Sequence, residues 1–162
     1  MNKNEKLRLL MAKFVDFQVI RDDFVAKRPT ECAVLHTISL TKNAYSGSRI
    51  IEKTDNSIKE QTARLVEAYF QLDFYASTQK RAEEMAQAMA DIILFENRHD
   101  FVRNGFGLTS DNIEITDRTF LEGSQCIYRF GFDLQMNWRE LSERTRQLIK
   151  DIKVEIKEEN NG

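Results

Sequence analysis

Two histidines, His36 and His99, and two cysteines, Cys32 and Cys126, are the residues best suited to nucleophilic, general-base or metal chemistry. Their spacing does not assemble it. A structural zinc site takes its thiol and imidazole ligands in closely spaced pairs, because short loops must bring four of them to one ion. The cysteines form no CxxC and the histidines no HExxH. His36 falls in an alternating run between Val34 and Ile38 and reads as a core or edge histidine satisfied by a neighbour. His99 follows a helical run and reads as a cation at a helix C-terminus. Both cysteines fall in strand-like runs and read as small buried hydrophobes. The acidic pairs Asp22-Asp23 and Glu83-Glu84 lie on helical runs, where neighbours point about 100° apart and do not converge as a carboxylate dyad must. Asn104-Gly105-Phe106-Gly107 lacks the preceding strand and following helix of a phosphate loop, and there is no GxSxG elbow. Arg139, Arg144, Arg146 and Lys150 are interrupted by Glu140 and Glu143, which weakens them as a phosphate site. The expectation is a protein with no catalytic residues, no metal and no cofactor.

Composition narrows the class. The chain has 162 residues, of which 41% are hydrophobic, enough for one globular core. Its 24 basic and 26 acidic side chains nearly cancel, so bulk electrostatics does not direct it to nucleic acid or a membrane surface. No apolar run reaches the ~18 residues of a membrane span, and MNKNEKLRLLMAKF lacks the pattern of a secretory signal. A reduced, intracellular setting follows as the expectation.

Periodicity predicts the elements. Leu7, Leu10, Phe14 and Phe17 share one face of a helix from Lys3 to about Phe24, widened by Met11, Val15 and Val25, with Asn4 as cap. This N-terminal segment, 1–28, ends before Pro29. Cys32 to Leu40 alternates as a strand. The polar stretch 41–62 reads as a long mobile or partner-binding loop with a short hairpin around Arg49–Lys53. Arg64 to Tyr75 alternates strictly, with Tyr69 and Tyr75 on the exposed face. Thr78 to about Asn97 is an Ala-rich helix. A turn-rich connection, a short strand at 112–118 and a turn at Glu122-Gly123-Ser124 lead to a long strand from Gln125 to about Arg139. There Cys126, Tyr128, Phe130, Phe132, Leu134, Met136 and Trp138 share one face. Residues 141–148 read as a connector, 150–156 as a last strand along the long one, and 158–162 as a disordered tail. The fold class is α+β: one domain over 1–157, with a mixed, mostly antiparallel sheet of about five strands and two main helices on it.

The long strand exceeds what a small domain readily buries, so it either bends at Gly131 or projects its end toward a partner. Aromatic, Met and Arg side chains are enriched at interfaces. Tyr69, Tyr75, Met136, Trp138 and Arg139, with Tyr45, Arg49 and Ile51 of the loop, are therefore the expected subunit contacts. For Trp138 the competing reading is simple coverage by the N-terminal helix.

The second half carries a resemblance. Glu67 to Tyr75, the Ala-rich helix, Ile113 to Leu121, Tyr128 to Trp138 and Ile152 to Ile156 follow in the order of the neck terminator and tail-completion proteins of tailed bacteriophages. The resemblance covers about residues 30–157. The loop 41–62 and the N-terminal helix do not match it closely. It implies a non-enzymatic virion protein, made in the host cytoplasm and assembled at the head–tail junction as a ring, commonly of six copies. Portal-bound adaptor or connector proteins would lie on one side and tail tube or sheath proteins on the other, with DNA passing through the lumen. The alternative is a small intracellular ligand-binding or adaptor domain whose aromatic strand lines a pocket.

Overall fold

The structure, a computed structural model, describes residues 1–24 and 26–148. Val25, the expected last strand 150–156 and the tail after it lie outside the described residues. The chain divides into two compact units: Met1–Asn43 with Leu65–Arg139, and Ala44–Arg64 with the chain from Glu140 onward. Sequence composition alone suggests one domain.

In the first unit, helix α1 spans Lys3–Ala12 and buries Leu7, Leu10 and Met11. Its cap is Asn2, whose side chain accepts the Glu5 N–H at 2.8 Å, not Asn4. The helix is half the expected length. The chain closes tight turns at Lys13 and Phe14 and then forms strand β1, Gln18–Arg21. Val19 and Ile20 are β-branched and favour a pleated strand. β1 pairs in parallel with strand β2, Cys32–Lys42, from Gln18↔Cys32 to Arg21↔Leu35. Phe17 meets Phe74 edge-on at 6.0 Å between centroids, so a tertiary partner overrides the helical spacing of Phe14 and Phe17.

The two polar stretches are strands. Strand β3 covers Ser46–Lys53 and strand β4 Ser57–Ala76, so most of the expected loop 41–62 is a hairpin. Helix α2, Gln79–Asp91, starts at Thr78, whose Oγ1 accepts the Arg81 N–H. It continues through a single π turn, Ile92–Glu96, into helix α3, Arg98–Arg103. His99 thus lies inside a helix, where the sequence suggests a turn-rich connection. Three very short strands follow: β5 (Gly107–Leu108), β6 (Thr116–Asp117) and β7 (Phe120–Glu122). Strand β8 runs Gln125–Gln147, and the expected connector 141–148 is mostly its continuation.

The sheet order is β1-β2-β4-β8-β5, with β3 on β4 and β6 and β7 on β8. It is mixed, as expected: β1–β2 is parallel, and β2–β4, β3–β4, β5–β8, β6–β8 and β7–β8 are antiparallel. The described residues hold eight strands rather than about five. β5 to β7 are too short for alternation to show, and β1 and β3 read as helix and loop.

One face of the sheet carries Ala33, Leu35, Phe70, Leu72, Phe74, Phe132, Leu134, Met136 and Trp138, packed in one cluster with Met11, Met85, Ala86 and Met89 of α1 and α2. The other face holds a small cluster of Ile20, Cys32, Val34 and Tyr75. The neighbouring residues 32 to 35 fall alternately in the two clusters, as period two demands.

Candidate interaction surface

The second unit consists of β3, the Ser57–Arg64 stretch of β4 and the Glu140–Gln147 stretch of β8. Its hairpin turn is tied by Thr54 and Ser57: each backbone N–H reaches the other residue, to the Ser57 carbonyl at 2.9 Å and to Thr54 Oγ1 at 3.0 Å. Gly47 sits in a bulge between the pairs Ser46↔Ala63 and Ser48↔Thr62 at φ +68°, the left-handed region that glycine enters without cost from a Cβ.

Charged pairs cross the three strands. Lys59 Nζ lies 2.9 Å from Glu143, and Glu60 accepts from Arg144 at 3.0 Å and faces Arg146 at 3.3 Å. Arg64 pairs with Glu140 and lays its guanidinium over the Tyr45 ring, 4.5 Å from the centroid. The pairing with Glu143 holds the Lys59 ammonium above its usual value and the Glu143 carboxyl below its own. Such exposed pairs contribute little each.

No described residue of this unit is buried. Ile50 is 57% exposed, Leu141 58% and Tyr45 44%. A small sheet is stable by itself only when an apolar face is covered. Among the described residues of this one, none is buried.

Of the expected contact residues, Tyr45, Arg49 and Ile51 lie exposed in this unit. Tyr69 and Arg139 lie exposed in the first. Tyr69 sits on β4 opposite Ser39, with Ile38, Leu40 and Leu65 also exposed on these two strands. The other three are packed inside. Met136 and Trp138 belong to the main core, and Trp138 meets Phe106 edge-on at 6.1 Å. Tyr75 is buried in the small cluster, with the Arg28 guanidinium 3.8 Å over its ring and Arg129 donating to its hydroxyl. All three are buried in the monomer: α1, α2 and the Phe106 segment cover Met136 and Trp138 on one face, and Ile20, Cys32, Val34 and Arg28 cover Tyr75 on the other. The same packing fills the aromatic stripe of β8: Phe132 and Phe74 lie 5.4 Å apart. From Phe130 to Trp138 the stripe is packed into the core, while Cys126 and Tyr128 at its start line an open hollow with Arg28 and Tyr75.

Asp73 is the one buried charged residue among the described ones, and sequence reasoning missed it. Arg118 donates to Oδ1 at 2.9 Å and Gln71 to Oδ2 at 2.8 Å. His36 Nε2 lies 3.4 Å from Oδ2 and Arg129 3.9 Å. Burial, the largest influence, pushes the carboxyl up; the His36, Arg118 and Gln71 hydrogen bonds outweigh it and hold the pKa at about 2. The same bond raises His36, burial lowers it, and the Asp73 and Asp22 charges add to the rise. Gly131 makes the room: a Cβ there would lie 2.5 Å from Asp73 Oδ1 and 2.6 Å from the Leu72 carbonyl. The available signals were an aspartate inside the apolar run Leu72-Asp73-Phe74 and a glycine inside a strand. Every partner is a donor holding a charge, which is a structural role. Cys32 is buried and its thiol is pushed up by burial, whereas Cys126 is exposed, contrary to the reading of both as core.

The chain was compared with known proteins. No curated protein matches it. A family model described as phage neck terminator protein matches residues 5–162.

Proposed function

The chain belongs to the phage neck terminator family, which makes it a structural component of the phage neck, and from that premise we propose that it acts as the subunit of a closed ring. The family is structural rather than enzymatic, and membership implies a place in the virion beside other head and tail proteins. In the proposed ring, six copies surround a lumen through which DNA passes without sequence-specific contact. Portal-bound adaptor or connector proteins seat on one side and tail tube or sheath proteins on the other. The protein is made in the host cytoplasm and carried into the particle.

The observation that carries the ring is the second unit. Its described residues bury no core, and it exposes Tyr45, Ile50, Ile51 and Leu141. A subunit that associates head to tail needs two different patches, and the exposed residues Tyr69 and Arg139 of the first unit are offered as further contacts. The near balance of 24 basic and 26 acidic side chains suits a lumen that must release DNA. Native mass spectrometry over a concentration series, with negative-stain images, tests this reading. A closed hexamer with a central hole is expected. A monomer at every concentration would contradict a self-assembling ring.

A further inference from the structure

The two most exposed large apolar side chains among the described residues are Phe95, 86% exposed, and Met1, 85%. Both belong to the first unit. One is a knob, and the other is part of the wall of a hollow.

Phe95 stands out because of its place on the helix. α2 buries Ala82, Met85, Ala86 and Met89, and the π turn after it buries Ile92 and Ile93. Asp91 and Phe95, four residues apart, fall outside that stripe and are exposed. The Asn97 N–H donates to the Ile92 carbonyl at 2.9 Å and closes the π turn beneath Phe95. The ring is therefore carried on fixed backbone, and seating it costs little further ordering. Exposed carboxylates flank it, Asp91 before and Glu96 directly after.

The hollow lies along α1. It measures about 450 Å³, with Met1, Leu9, Leu10 and Ala12 as its apolar wall and Lys6 and Lys13 as its cations. Lys6 Nζ donates to the Asn104 carbonyl at 3.1 Å, which ties α1 to the segment after α3 and fixes the shape of the hollow. Sites of roughly 300–1,000 Å³ accept groups larger than a phenyl ring. Leu9 is 39% exposed, so an apolar contact remains to be made there.

Knob and hollow are complementary in shape and in charge. One is an aromatic ring between two carboxylates, and the other is an apolar recess beside two ammonium groups. They are different patches of one chain, which is what a head-to-tail contact uses. Resting on the ring reading above, we propose that Phe95 of each copy seats in the α1 hollow of the next. Its flanking acids then face Lys6 and Lys13 of the partner subunit. This contact uses no residue of the second unit and adds to those offered above.

Native mass spectrometry of variants over a concentration series tests the contact. Phe95→Ala alters an exposed side chain and should leave the monomer folded, as circular dichroism checks. It should raise the concentration needed for assembly at least about tenfold. Lys13→Glu and Glu96→Lys should each weaken assembly by bringing like charges together, and the chain carrying both should recover it. Phe95→Ala assembling like the wild type would overturn the contact and leave the ring standing. So would a charge effect that the double variant does not repair. If Lys13→Glu weakens assembly and Phe95→Ala does not, another segment fills the hollow and the proposal fails. A wild type that stays monomeric at every concentration would overturn the ring reading itself. Should a charge reversal unfold the monomer, Lys13→Cys with Glu96→Cys on a Cys126→Ser background reads the same contact. Oxidation should give a denaturant-resistant ladder of multiples. No ladder, or one that stops at two copies, would overturn the head-to-tail contact.

Discussion

Asp73 shows how one residue type can carry either of two meanings. A carboxylate, a histidine and two arginines within hydrogen-bond or ion-pair reach have the ingredients of acid–base chemistry. Here each donor is spent on holding a charge that is 1% exposed. Removing one partner of a buried pair leaves the other uncompensated, so Asp73→Ala should cost about 3–5 kcal/mol in urea unfolding. The sign of the pH dependence follows from the two shifts. The Asp73 carboxyl titrates near 2 in the fold and near 3.8 ordinarily, so its contribution is full above 3.8 and is lost as pH falls toward 2. His36 is raised above 6.5, so its contribution is full below 6.5 and is lost as pH rises through its folded value. Melting temperature should therefore be highest between those windows and drop on acidification below about 4. Asp73→Asn should flatten the acid limb. An unchanged limb in that variant would show that other carboxylates set it.

At the scale of elements, Trp138 marks where the strand reading succeeded and the surface reading did not. The apolar alternation of β8 is plain in the sequence, and so is the helical period of α2, because each buries one face against a core. What covers that face comes from residues distant in sequence. Phe106 reaches Trp138 from the segment after α3, and nothing in the local pattern announces it. Trp138→Ala should therefore act on the monomer, lowering its stability by about 3–5 kcal/mol. Whatever fraction stays folded should assemble at wild-type concentrations. Assembly lost without loss of stability would return Trp138 to the interface. β3 and the outer stretches of β4 and β8 were illegible for the opposite reason. They bury nothing, so no apolar alternation exists to be read, and charged strands with a Thr54–Ser57 turn look like a loop. α1 was read too long because Phe14 and Phe17 keep a helical spacing by coincidence, while β1 owes its existence to pairing with β2. The Asp73 network was not legible because it needs three strands and the Arg118 segment brought together.

At the scale of the whole molecule, the chain combines a unit with an ordinary core and a unit whose described residues bury none. In the proposed ring, folding and assembly then fall to different residues. Such a division suits the ring proposed above, in which a subunit joins copies of itself. The family match makes the neck role firm; the ring is the account's own claim. A cryo-electron microscopy reconstruction of the neck of the assembled phage tests that claim most directly. The account predicts a closed ring of this chain at the head–tail junction. A neck in which copies of this chain do not touch one another would contradict it.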